Sequence, residues 1–327
     1  MMQFSRREIL GLSGFGLGRL VVADLNGKIG GETGGKWYGG VYGWGFSVTV
    51  PQTGKLAHRN THYLGLTGFL NAYTLTGDDR YLDVWRKQID TINRQSKTVN
   101  GRTLYPRMYG DDGWYSFTPQ KYDSGAFEIW YLSMRNDDLG RLSNGGWVGY
   151  LHGKNPRYPE QALRADLERI RGRVAGMRAD KTTPDTRLAD DPMKYNPASV
   201  QSLIQLMLGG IHPGHKGSIL HCRLRYFDPQ NRRAGVPDDI AVLVESLTAD
   251  STGTTLVNTS QTKAKTVVVQ AGGYAEHRFE TVSINGKTVR VDGTDFEVRL
   301  NPGCGARLQL GMKRFVNQPT MAFPWDR

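Results

Sequence analysis

The period of the hydrophobic pattern changes once along this chain, and that change restricts it to an α+β fold in two parts. As far as about Gly210 the apolar residues recur at helical spacing, and from about Ser218 they alternate at strand spacing. Helical spacing is read from Leu56 onward. Leu66, Phe69, Leu70 and Tyr73 fall at i, i+3, i+4 and i+7. Gly77 stops that helix and Asp78 is placed to cap the next, which carries Tyr81, Trp85, Ile89 and Ile92 on one stripe. Two helices joined by Thr76-Gly77-Asp78-Asp79 make a tight αα-hairpin. Three more stripes follow: Phe127, Trp130, Tyr131 and Met134; then Leu163, Leu167, Ile170, Val174 and Met177 in a helix opened by Pro159; then Val200, Leu203, Ile204 and Met207 after Asn196-Pro197. All are expected to face inward as core.

In the second part Leu220, Cys222, Leu224 and Tyr226 alternate onto one face. Further strands are expected near 240–247, 254–258, 266–270, 278–284, 287–291, 296–300 and 306–310. Asn285-Gly286 calls for a type I′ hairpin turn. Short strands at regular spacing predict an antiparallel β-sandwich. Arg223, Arg225, Arg232 and Arg233 are expected to dock the helical part or meet an anionic substrate, and the tail to Trp325 to pack back on the helices.

The run Leu70-Asn71-Ala72-Tyr73-Thr74-Leu75-Thr76-Gly77-Asp78-Asp79-Arg80-Tyr81-Leu82 resembles the helix–TGD–helix hairpins of the six-hairpin glycosidase and polysaccharide-lyase superfamily. The resemblance implies an (α/α) toroid followed by a β-sandwich. A complete toroid needs about twelve helices, and five helical stripes are legible here. The implied form is therefore a partial toroid, reduced towards its N-terminus. The expected parts are a leader at 1–23, an aromatic-rich helical part at 24–212 and a β-sandwich at 213–327.

The leader is read from Ser5-Arg6-Arg7-Glu8-Ile9-Leu10, which resembles a twin-arginine export signal, followed by a Gly/Leu-rich stretch and Val21-Val22-Ala23. It implies a periplasmic or extracellular location. No apolar run approaches the roughly 20 residues of a transmembrane helix. Lys and Arg exceed Asp and Glu by 42 − 31 = +11, a surface that attracts polyanions. The cations are scattered, without a basic block or zinc-finger spacing, so an acidic glycan is favoured as partner over nucleic acid. Cys222 and Cys304 either pair, if the chain is exported, or remain two buried thiols. No metal-ligand spacing is present, and neither metal nor cofactor is expected.

Three loops carry the residue types of carbohydrate chemistry. In the first, glycines separate Trp37, Tyr42 and Trp44, whose faces suit sugar stacking. In the second, at the start of the first helix, His58 and His62 are i, i+4 and share a face; Arg59, Asn60 and Tyr63 lie between and beside them. A lyase uses a His or Tyr base with Asn or Arg against a uronate carboxylate, so His62 and Tyr63 are catalytic candidates and His58, Arg59 and Asn60 substrate-binding ones. The third loop joins Asp111 and Asp112 to Tyr109 and Trp114. A glycosidase needs one carboxylic acid and one carboxylate across the scissile bond. Adjacent residues cannot themselves be that pair, so Asp111 or Asp112 is expected to partner Glu128, Asp123 or Glu32. Trp147, Tyr150 and His152 are read as a further loop lining the same cleft. The reading is an exported glycoside hydrolase or polysaccharide lyase acting on an oligo- or polysaccharide; the alternative is a non-catalytic glycan-binding or envelope protein derived from one.

Overall fold

The computed structural model describes residues 48–49, 56–57, 59–60, 66–110, 113–142, 145–183, 196–213 and 219–327. By packing, the chain divides into two compact units, residues 1–143 with 214–219 and residues 144–213 with 220–327. The division does not follow the change from helix to strand, because the later helices cluster with the sheets.

In the first unit the order is β1 (Val48–Thr49), β2 (Leu56–Ala57), β3 (Arg59–Asn60), α1 (Leu66–Thr76), α2 (Arg80–Arg94), β4 (Lys97–Val99), β5 (Arg102–Leu104), β6 (Met108–Gly110), β7 (Gly113–Tyr115), α3 (Ala126–Ser133) and α4 (Asn136–Leu139). The α1–α2 hairpin forms as its sequence predicts. Gly77 adopts φ +66°, a left-handed value that glycine tolerates without a Cβ clash, and its N–H closes α1 on the Tyr73 carbonyl at 2.6 Å. Asp78 Oδ1 accepts from the Arg80 N–H at 3.0 Å. Leu70, Tyr73, Leu82, Trp85, Ile89 and Ile92 are buried, together with Ile129, Trp130 and Leu132 of α3.

An ion-pair network ties α2 to α4. Asp138, fully buried, accepts from Arg86 Nε at 2.8 Å and Nη2 at 2.6 Å, from Arg141 Nη1 at 3.0 Å and from Ser133 Oγ at 2.6 Å. Both of its oxygens are thus satisfied where water cannot reach them.

The helix begins at Leu66 and not at Leu56. Residues 56–57 pair with β1 and residues 59–60 with β6. The partners of β3 lie some fifty positions away in sequence, a pairing that local periodicity does not contain. His58 and His62, predicted to share a helical face, lie outside the described residues.

The second unit holds α5 (Gly146–Leu151), α6 (Tyr158–Ala179), α7 (Gln201–Leu208), β8 (Leu224–Asp228), β9 (Arg233–Ala234), β10 (Ile240–Leu247), β11 (Ser251–Asn258), β12 (Lys265–Ala271), β13 (Arg278–Ile284), β14 (Lys287–Gly293), β15 (Asp295–Leu300) and β16 (Gly305–Lys313). The strands form two antiparallel sheets, β10-β11-β16-β13-β14 and β15-β12-β8-β9. Phe279 of one sheet meets Phe296 of the other edge-on at 5.0 Å. Tyr226, Val267, Val269, Val244, Leu256 and Leu310 are buried with them. Asn285 and Gly286 take φ +51° and +78°, the type I′ pattern, and Ile284 pairs with Lys287 across them. Helix α7 packs on β8 and β10. A Cβ on Gly210 would fall 2.7 Å from the Cys222 Cβ and the His221 carbonyl, so this approach needs glycine.

Four expectations are corrected in this unit. Helix α6 spans the predicted residues, yet Leu163, Leu167 and Met177 are exposed, as are Val200 at the cap of α7 and Leu203 within it; α6 meets α7 through polar residues instead. The residues expected as a loop at 146–151 are helix α5, with Trp147 buried and Tyr150 stacked on Tyr158 at 6.0 Å. The tail packs on a sheet: Phe323 and Trp325 contact Phe227 of β8 at 5.8 and 5.9 Å. Arg225, Arg232 and Arg233 are engaged inside the unit, with the Gly273 carbonyl, Asp326 and Asp228. Cys222 and Cys304 are both free thiols, the first buried and the second exposed.

Among the described residues no helix is long and apolar enough to cross a membrane.

Candidate functional site

Of the predicted catalytic and substrate-binding residues, the described ones, Arg59, Asn60, Tyr109, Trp114 and Glu128, belong to the first unit, whereas Trp147, Tyr150 and His152 belong to the second. Sheet β3-β6-β7 sets Arg59 opposite Tyr109, and Tyr109 opposite Trp114. Three residues predicted to bind substrate therefore occupy one row across three strands. Asn60, Met108 and Tyr115 form the adjacent row. Trp114 is half-buried. The pairing Gly110↔Gly113 closes the β6–β7 hairpin; Asp111 and Asp112, between them, lie outside the described residues. So do Glu32, Trp37, Tyr42, Trp44, His58, His62 and Tyr63.

Downstream of the hairpin the chain is pinned to α2 before it enters α3. Asn93 Nδ2 donates to the Tyr122 carbonyl and Asn93 Oδ1 accepts from the Tyr122 N–H, each at 2.8 Å. Trp85 Nε1 donates to the Ser124 carbonyl at 2.9 Å. Tyr122 is itself buried. Asp123 is thereby held between two anchored neighbours while its own side chain stays exposed. Gly125, at φ +82°, then turns the chain into α3, whose first turn carries Glu128.

The Glu128 carboxyl is shifted by its surroundings. Burial raises the Glu128 carboxyl above the ordinary glutamate range, and the negative charge of Asp123 raises it further, against a hydrogen bond from Glu128's own backbone that lowers it. A carboxyl of raised proton affinity with a second carboxylate nearby is the kind of pair that acid–base chemistry on a glycosidic bond uses. Glu128 is legible from the sequence as a candidate. Trp85 and Asn93, which fix the geometry, are not: Trp85 reads as one more member of a helical core stripe.

Two other polar groupings, both in the second unit, contrast with this one. A small open groove of about 200 Å³ lies among Glu245, Ser283, Asn285, Arg307 and Gln309, with Arg307 and Glu245 neutralising one another at 2.7 Å. It contains none of the predicted catalytic or substrate-binding residues. Glu276 and His277 are fully enclosed. Glu276 accepts from the N–H groups of Gly273 and Tyr274 at 3.2 and 2.7 Å, and burial pushes its carboxyl up to about 7. His277 Nδ1 accepts from the Phe315 N–H at 3.1 Å, and burial holds the ring well below the usual histidine range. The Glu276 carbonyl also accepts from Val316 and Asn317. These residues fasten the tail to the sheets and offer a substrate no access.

Among the described residues no three His, Cys, Asp or Glu side chains are grouped closely enough to hold a metal ion.

A family model described only as a domain of unknown function (DUF8034) matches residues 21–105 and 143–204. The stretch between the two matched blocks carries β6, β7, Asp123 and Glu128. No curated protein matches the chain, and no solved structure matches it.

Proposed function

We propose that this chain is an exported glycoside hydrolase acting on an acidic glycan, with Glu128 as proton donor and Asp123 as the accompanying carboxylate, on a reduced toroid followed by a β-sandwich. The observation that carries the reading is the carboxyl of Glu128, raised by burial and by Asp123, with the residues on either side of Asp123 fixed by the Asn93 and Trp85 hydrogen bonds. The row Arg59–Tyr109–Trp114 supplies the residue types that hold a sugar and an acidic substituent. The twin-arginine-like leader and the net charge of +11 support export and an anionic substrate. Between hydrolase and lyase, the carboxyl pair favours hydrolysis.

The test is incubation of the purified chain with uronate-containing polysaccharides, following reducing ends and the ultraviolet absorbance of an unsaturated product together. Reducing ends without that absorbance are expected. Absorbance rising in step with reducing ends would mean a lyase. No release from any substrate, with retained glycan binding that Trp114→Ala abolishes, would establish the second reading, a glycan-binding protein. That reading draws on the same row of residues without the acids.

A further inference from the structure

Helix α6 meets α7 through one face and leaves a different, apolar face outside that contact. Towards α7 it turns Tyr158, Ala162, Asp166 and Arg173. Tyr158 Oη donates to Gln205 Oε1 at 2.7 Å, and Ser202 Oγ donates to the Ala162 carbonyl at 3.4 Å. Asp166 accepts from Ser199 Oγ at 2.9 Å, and Arg173 Nη1 donates to the Asn196 carbonyl at 2.7 Å. At 3.6 residues per turn the stripe Leu163, Leu167, Ile170, Val174 and Met177 is centred about 100° round the helix from that face. Leu163 is 39%, Leu167 51% and Met177 48% exposed.

The five apolar residues are spaced by four, three, four and three, the a/d seam of a coiled coil sustained over two heptads. The stripe is narrow and holds no aromatic residue, unlike the broad apolar face of a helix that lies on a membrane. One border of the seam is α7. Along the other stand Arg164, Arg171 and Arg178, seven residues apart. Arg164 pairs with Glu160 at 2.9 Å; Arg171 and Arg178 make no ion pair among the described residues. We propose that this seam is the docking surface for an acidic amphipathic helix of a partner protein, with leucine-type residues at its own seam and Asp or Glu flanking them.

Charge complementarity selects that occupant over a second copy of the chain. An antiparallel copy would set the arginine row against itself. A parallel copy would set it against Asp166, Arg173 and Asp180, and all three are already bonded within their own chain, to Ser199, Asn196 and Thr182.

The test uses the full chain and two synthetic helices of about four heptads with leucine seams, one flanked by Glu and one by Lys. The wild type is expected to bind the Glu-flanked helix and not the Lys-flanked one. Leu167→Asp is expected to weaken that binding about tenfold or more, and Arg171→Glu with Arg178→Glu to reverse the preference. Both sites are exposed, and circular dichroism checks that each variant folds; if Leu167→Asp does not, the arginine reversal decides alone. Equal binding of the two helices, or of neither, overturns the proposal. So does a wild-type dimer in sedimentation that Leu167→Asp dissolves, or binding to phosphatidylglycerol vesicles that Leu167→Asp abolishes while both helices fail to bind.

Discussion

Asp123 lies close enough to Glu128 for its negative charge to add to the burial that raises the proton affinity of the Glu128 carboxyl. Removing that charge lowers the proton affinity of Glu128. If Glu128 acts as an acid, activity falls as pH rises through its pKa. Asp123→Asn is therefore expected to move the titration of the Glu128 carboxyl, followed by carbon-13 NMR of the side chain, to lower pH. A titration that stays in place would separate Asp123 from the acid.

Asn93 bonds both polar groups of the Tyr122 backbone, at 2.8 Å each. Asn93→Ala leaves a part-buried N–H and C=O without those partners, at a cost of about 1–3 kcal/mol. The consequence expected for catalysis is a fall in kcat with little change in KM, since the loop it holds carries an acid group and not the aromatic row. Urea unfolding and steady-state kinetics measure the two effects. Loss of stability with kcat intact would make Asn93 a fold residue alone.

Asp138 is the centre of the first unit's ion-pair network, and Arg86 is buried against it. Asp138→Ala leaves the guanidinium without its main partner and is expected to cost about 3–5 kcal/mol in chemical denaturation. The exposed pair Arg135–Asp137 at 2.8 Å gives the contrast: Asp137→Asn is expected to leave the denaturation midpoint almost unchanged. Equal effects at the two sites would contradict the burial argument.

The Glu276 carboxyl is pushed up to about 7 from 4.5. The folded chain therefore holds a proton that the unfolded chain has lost between those values, and this group's contribution to stability falls as pH rises from 4.5 to 7. His221, lowered by burial to about 4 from 6.5, acts oppositely: its contribution is present above 6.5 and is lost as pH falls towards 4. Because the two overlap, the test is a difference. Glu276→Gln removes only the first, so its stability relative to wild type is expected to rise by a few kcal/mol between pH 4.5 and 7. A pH-independent difference, from urea midpoints across that range, would contradict the raised carboxyl.

What the sequence reveals here is whatever depends on near neighbours. Asn285-Gly286 specifies its own turn, and alternation specifies β10 through β16. Asn100-Gly101 is the same signal, with φ +50° and +73° closing the β4–β5 hairpin, between strands of three residues too short to show alternation. The pairing of Arg59 with Tyr109 is absent from any local window. Helix α6 shows that periodicity locates an apolar stripe without saying what covers it, because Asp166 and Arg173 form enough polar bonds with the α7 segment to decide the packing. Glu128 can be picked out by residue type, but its raised carboxyl depends on Asp123, held by two side chains from another helix.

The role of Glu128 is tested most directly by comparing wild type with Glu128→Gln on two substrates of the same sugar, the natural polymer and an aryl glycoside whose phenolate leaves without a proton. A general acid is needed only for the first. The account predicts a loss of about a hundredfold or more on the polymer and a much smaller loss on the aryl glycoside. Equal losses on both, or none on either, would contradict Glu128 as the proton donor.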